Sequence, residues 1–143
     1  EAHEHYDRQH QDLRTEDGRH FGDVLEFVDF DYARKLTGVN AAVLAALAWA
    51  PPPPTNVRIA GAVQASARLS WTVHQAPDLA GHKIYWRLTT EPQWTHWVYL
   101  PWDGGTAGSH VMENLVIDNY LFGVASVDRE GHESVVQFPT PGR

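Results

Sequence analysis

Four consecutive prolines, Pro51 to Pro54, divide the chain into two parts that cannot share one secondary structure. Proline has no backbone N–H and its ring fixes φ, so neither a helix nor a sheet ladder passes through such a run. The run predicts a short extended spacer and a domain boundary. On its two sides the apolar residues follow different periods.

Before the prolines the period is helical. Ala33, Leu36, Asn40, Val43, Leu44 and Leu47 recur at the spacing of one helix face. Asp29 suits an N-cap, and Asp31 lies in the first turn, where a negative charge favours the helix dipole. The pattern predicts a helix over 29–50. From Ala41 to Ala50 nearly every residue is apolar, so its back half is expected to be buried on most sides.

After the prolines the period is two. Leu69, Trp71 and Val73 alternate with polar neighbours, as do His82, Ile84 and Trp86 with Lys83, Tyr85 and Arg87. Tyr120, Phe122, Val124 and Ser126 alternate with Leu121, Gly123 and Ala125. Turn residues separate these runs at Ala76-Pro77-Asp78, Asp103-Gly104-Gly105 and Asp128 to Gly131. Several short strands at this spacing predict an antiparallel β-sandwich. The fold class expected is mainly β, a sandwich preceded by one long α-helix.

Charge narrows the partners. The 143 residues carry 11 basic and 18 acidic side chains, a net charge of −7, and the excess is local. Residues 1–31 hold ten acids and three bases; the remainder holds eight of each. A neutral body lacks the clustered basic surface that phosphate backbones require, which argues against nucleic acid as partner. The apolar run Ala41–Ala50 is ten residues long, whereas a bilayer span takes roughly 20. There is no cysteine, hence no disulfide, no thiolate zinc site and no thiol nucleophile. The chain opens without Met or signal peptide in a polar, His-rich stretch, which suggests a piece of a longer protein.

That stretch holds the atoms of a metal site. His3, His5, His10 and His20 lie among carboxylates, with the spacings His3-x-His5 and His10-Gln11-Asp12. Zinc takes imidazole nitrogens and carboxylate oxygens, but needs three or four that converge. Further along, Trp86, Trp94, Trp97, Tyr99 and Trp102 crowd the middle of the sandwich. They can pack the core and edges, or form a strip that stacks on sugars or peptides. No serine stands in a Gly-x-Ser-x-Gly context, and Gly104-Gly105 is a turn rather than a phosphate loop.

Two resemblances bear on function. The 89 residues from Thr55 resemble a fibronectin type III domain, in Leu69-Ser70-Trp71, Gly81 to Trp86, Leu115 with Tyr120 to Val124, and the turn Asp128 to Ser134. Residues 1–50 resemble the end of a co-catalytic zinc peptidase domain, of the family with bacterial leucyl aminopeptidases and glutamate carboxypeptidase. The residues concerned are Tyr6 to Arg14, Phe21-Gly22-Asp23, Glu26 to Arg34 and the Ala/Leu-rich helix. That likeness implies a last zinc-ligand histidine four residues before an aspartate, then a final helix packed on a central sheet. Here Arg8 stands four residues before Asp12, and His10 lies two further on. Arginine cannot bind zinc, so the resemblance implies either that His10 serves as the metal ligand through a local shift, with Asp12 orienting it, or that this copy has lost that ligand.

The resemblance divides the chain into 1–50, the end of the peptidase domain, 51–54, a proline linker, and 55–143, the sandwich. It implies a secreted or periplasmic zinc aminopeptidase as full-length parent, acting on peptide or protein substrates. The upstream domain would carry the other ligands and the general base, so no catalytic residue is expected in this chain, and the chain alone is expected to be inactive. The rival reading is a non-catalytic binding or adhesion module of a larger extracellular protein, with residues 1–50 a linker and helix.

Overall fold

Alternation of large apolar and polar residues sets the faces of the strands after the prolines. The computed structural model describes residues 3–61 and 64–142, with side chains from Tyr6 onward. It divides into two compact units, Glu1–Val43 and Leu44–Arg143.

The second unit holds a β-sandwich. In chain order after a first short hairpin (β1, Arg14–Glu16; β2, Arg19–Phe21) and the helix α1 (Phe30–Trp49) come seven strands. They are β3 (Thr55–Ala60), β4 (Ala67–Thr72), β5 (Leu79–Leu88), β6 (His96–Pro101), β7 (Ala107–Met112), β8 (Tyr120–Asp128) and β9 (Thr140–Pro141). One sheet has the order β7-β4-β3-β9, the other β6-β5-β8. All pairings are antiparallel except β3 with β9. Bridges from Val124 to Gln137 and from Val127 to Glu133 bring the segment after β8 alongside its outer edge.

The expected inward residues form the core. Leu69 and Trp71 from one sheet meet Ile84, Phe122 and Val124 from the other, with Val57 and Met112 closing the ends. Trp71 is 4% exposed, and Leu69, Ile84 and Val124 are fully buried. β8 departs from simple alternation: Phe122 to Asp128 are all buried. Its outer face is covered by the returning segment, and a Cβ on Gly123 would lie 2.2 Å from Val136 Cγ1. Gly123→Val is therefore expected to destabilise the sandwich by about 1–3 kcal/mol, the usual cost of overpacking. A denaturation midpoint unchanged from wild type would show instead that the 133–137 segment lifts away freely.

The helix begins where its cap predicts. Asp29 Oδ1 accepts the Tyr32 N–H at 2.9 Å, and the first helical bond runs from Ala33 N to Asp29 O at 3.0 Å. It ends at Trp49, ahead of the prolines. Within the proline run Pro51 and Pro54 are buried, while Pro52 is exposed. The Trp49 ring lies 5.8 Å from the His132 ring.

The expected burial of the back half of α1 is not found. Val43, Leu44, Leu47 and Trp49 are exposed, and no residue of the helix is buried. The apolar residues ring the helix and stay exposed, even at Trp49 beside the His132 ring. Such a surface in water drives association. The 143-residue chain is thus expected to self-associate in solution. Sedimentation should show species heavier than the 16.1 kDa monomer, and the combination Leu36→Glu, Val43→Glu and Leu47→Glu should return it to a monomer. A monodisperse wild-type monomer would contradict this.

Candidate functional site

The His10 segment is a short, braced loop in the first unit. A 3-10 turn over His3–Arg8 leads into it, and the β1–β2 hairpin follows. The hairpin turns through Asp17 (φ 49°) and Gly18 (φ 79°), the left-handed pair a tight hairpin demands. Three contacts hold the loop. Gly22 N donates to Asp7 O at 3.1 Å, Arg19 faces Asp7 at 3.6 Å, and Arg8 lies 4.4 Å over the Phe27 ring. Arg14 stacks over Phe21 at 4.1 Å.

Asp23 shapes His10 itself. Both carboxylate oxygens accept the His10 backbone N–H, at 2.8 and 2.9 Å. His10 takes φ 52°, a left-handed conformation uncommon for a non-glycine residue, and its side chain is exposed. Asp12 is exposed two residues on. Asp23 is thus the anchor of the loop, a role the sequence did not disclose, because the contact spans 13 residues.

The metal expectation meets a plain limit here. Among the described residues no group of three or more His, Cys, Asp or Glu side chains lies together as a metal site requires. The side chains of His3 and His5 lie outside the described residues. His20 Nδ1 is 3.0 Å from Thr15 Oγ1 across the hairpin, bonded within its own unit. The described residues therefore do not fit a zinc ion by themselves.

The aromatic strip separates into three parts. Trp86 and Trp102 pack against the core, with Trp102 Nε1 donating to Gly105 O at 2.9 Å and Trp86 stacked on His96 at an interplanar angle of 13°. Trp94 is held on the outer face of β5 between Tyr85 and Phe138, at 5.8 and 5.5 Å. Trp97 and Tyr99 remain exposed on the edge strand β6, with Lys83 Nζ 4.8 Å from the Trp97 ring. Glu133 ties this face together, accepting from both Lys83 Nζ and Tyr85 Oη. Burial, then the hydrogen bond to Glu133 and its charge, push the Tyr85 hydroxyl above its ordinary value.

Two further clusters were not foreseen. His82 is 3% exposed and faces Trp71 at 5.3 Å between ring centroids. Among the described residues neither His82 Nε2 nor Trp71 Nε1 has a hydrogen-bond partner. Both residues line a cleft of about 200 Å³ with Leu100, Trp102 and Asp103. Burial holds the His82 imidazole below its ordinary value, against the opposing pull of the Asp103 carboxylate. At the other end, Asp128 Oδ1 accepts the N–H groups of Glu130 and His132, and Oδ2 pairs with His132 Nδ1 at 2.8 Å. Burial pushes the Asp128 carboxyl up, but these bonds and the His132 charge outweigh it and hold it below its ordinary value.

Curated relatives carry one kind of name. A probable zinc metalloprotease of Pyrenophora tritici-repentis is 39% identical over 143 residues, covering 99% of this chain and 29% of the relative. A probable zinc metalloprotease of Leptosphaeria maculans is 41% identical, over 99% of this chain and 32% of its own length. One of Pyricularia oryzae is 38% identical, over 99% and 28%. No family model matches the chain. Among solved structures, one titled as a myokine structure aligns with a TM-score of 0.47 at 22% identity, over 65% of this chain and all of that one. This chain is thus similar, over almost its whole length, to about three-tenths of proteins named probable zinc metalloproteases, and among its described residues it holds no metal site of its own.

Proposed function

We propose that this chain is the closing part of a secreted zinc-dependent aminopeptidase, residues 1–50 ending the peptidase domain and 55–143 forming a fibronectin type III-like accessory module joined through 51–54. The single observation that carries the reading is the 39% identity, over 99% of this chain, to a probable zinc metalloprotease more than three times as long. The exposed apolar surface of α1 supports it, since such a helix needs another body to cover it. In the parent, His10 is the donor this chain offers to a site completed elsewhere. Its exposed side chain and the backbone clamp from Asp23 suit a ligand presented to the rest of the peptidase domain.

The test uses the full-length parent, its zinc content and its hydrolysis of peptide N-terminal bonds. The parent is expected to bind zinc and to lose activity to a chelator, and the 143-residue chain alone to show neither. His10→Ala in the parent should lower both zinc content and rate, and Asp23→Asn should lower them less, by freeing the loop. A parent that binds no zinc and cleaves no peptide defeats the proposal and favours a binding module. A parent that cleaves only internal bonds defeats the aminopeptidase part alone.

A further inference from the structure

The outer face of the sheet β7-β4-β3-β9 is chemically unlike the rest of the surface. Its neighbouring outward positions Ala60, Ser70, Thr72, Ala107, Ser109 and Val111 are neutral, and all but Thr72 and Val111 are very small. Two arginines stand among them. Arg58 on β3 lies opposite Ser70 on β4, and Arg68 on β4 lies opposite Ala60 on β3. The register therefore makes Arg58 and Arg68 diagonal neighbours on one face, close enough for long side chains to meet and for like charges to repel.

Among the described residues neither arginine has an ion-pair partner. Arg58 does not swing freely, because its Nη1 donates to Thr140 Oγ1 at 2.6 Å. The small side chains leave a basin of about 530 Å³, lined by Arg58, Ala60, Arg68, Ser70, Pro141 and Gly142. Among the described residues no carboxylate lines it. A guanidinium presents a planar fork of N–H donors suited to oxyanions. Two guanidinium groups lining one basin, with Ser70 beside them in the lining, match a tetrahedral dianion better than a single carboxylate.

From this juxtaposition we infer that the basin between Arg58 and Arg68 is an anion-binding site of the sandwich for phosphate or a phosphate monoester. It is independent of any peptidase chemistry in the parent. Two cations on a body of zero net charge offer too small a basic surface for a nucleic-acid backbone, so the ligand is a single phosphoryl group. The bound group would accept from both guanidinium forks and from Ser70, and would relieve the repulsion across the β3–β4 pair.

The experiment is an amide NMR titration of the whole 143-residue chain, bearing the helix substitutions that keep it monomeric, with inorganic phosphate, phosphoserine and acetate at constant ionic strength. Phosphate is expected to give saturable shifts confined to Arg58, Arg68, Ser70 and Thr140, with acetate about tenfold weaker. Arg58→Gln and Arg68→Gln should each weaken phosphate about tenfold, and Arg68→Lys less, since it keeps the charge and loses the fork. Both positions are exposed, so unchanged amide shifts elsewhere verify the fold. Tighter binding of phosphoserine than of phosphate identifies a phosphate ester as the source, and the reverse a free anion; either supports the site. Shifts that do not saturate, or that persist in the Arg58→Gln, Arg68→Gln double variant, overturn it.

Discussion

Replacing Trp71 by alanine is expected to cost the sandwich about 3–5 kcal/mol, the range for removing a large buried aromatic. Small domains hold only about 5–15 kcal/mol in total, so the variant should be marginal at room temperature. The ring reaches from β4 across the core to β5, where it faces His82. It also fills the space beside Gly108 on β7, where a Cβ would lie 2.3–2.5 Å from three of its ring atoms. Gly108→Ala on its own should therefore be destabilising through overpacking. In the Trp71→Ala background the same substitution should cost little, because the obstructing ring is gone. Denaturant titration of the two single variants and the double variant measures this coupling. Additive losses would mean that the ring and Gly108 do not compete for one space.

Acid is expected to weaken the sandwich in two stages, first through His82 and then through Asp128. His82 is held below its ordinary value of 6.5 by burial, so the unfolded chain takes up a proton at a pH where the folded one still refuses it. Stability linked to His82 is complete above 6.5 and is lost as pH falls below it, at up to about 1.4 kcal/mol per pH unit. The charged form finds no partner at Nε2 among the described residues, and Asp103 recovers only part of the loss. Asp128 is held below its ordinary value of 3.8, so its contribution is present above 3.8 and is lost as pH falls through the lower folded value. Unfolding free energy measured from about pH 8 to pH 3 should fall in these two windows. His82→Leu, which fills the cavity without a titrating nitrogen, should flatten the first window and leave the second. A profile unchanged by His82→Leu would remove His82 as the source.

Several features of the fold were readable because they are local. The Asp29 cap, the proline run and a 3.6-residue period act within a few residues, and α1 runs from Phe30 to Trp49 as they indicate. The burial of its back half was not readable. An apolar helix states that it needs cover, not that the cover is in the same chain, and here Leu44 and Leu47 face outward. The aromatic strip shows the same limit. Alternation in β6 puts Trp97 and Tyr99 on one face, but only the pairing of Trp97 with Tyr85 decides that this face is the outer one. His10 and Asp12 are singled out only by the resemblance to a ligand segment; Asp23, which clamps the His10 backbone, carries no local signal.

The sequence by itself determined the helix ends and the inward residues Leu69, Trp71, Ile84, Phe122 and Val124, because side-chain direction in a strand or helix follows from a period of two or 3.6 along the backbone. Tertiary structure alone decided what meets across the strands. Arg58 and Thr140 are 82 residues apart, and Lys83 and Glu133 are 50 apart. Their meeting depends on register, and register is set by how the whole hydrophobic set docks and by the lengths of the intervening turns. A one-residue slip between β3 and β4 would turn Arg58 or Arg68 to the other face, and no local propensity forbids it. The basin, the Glu133 tie and the orphaned His82 nitrogen are consequences of closing the two sheets on each other, and they exist only in the assembled sandwich.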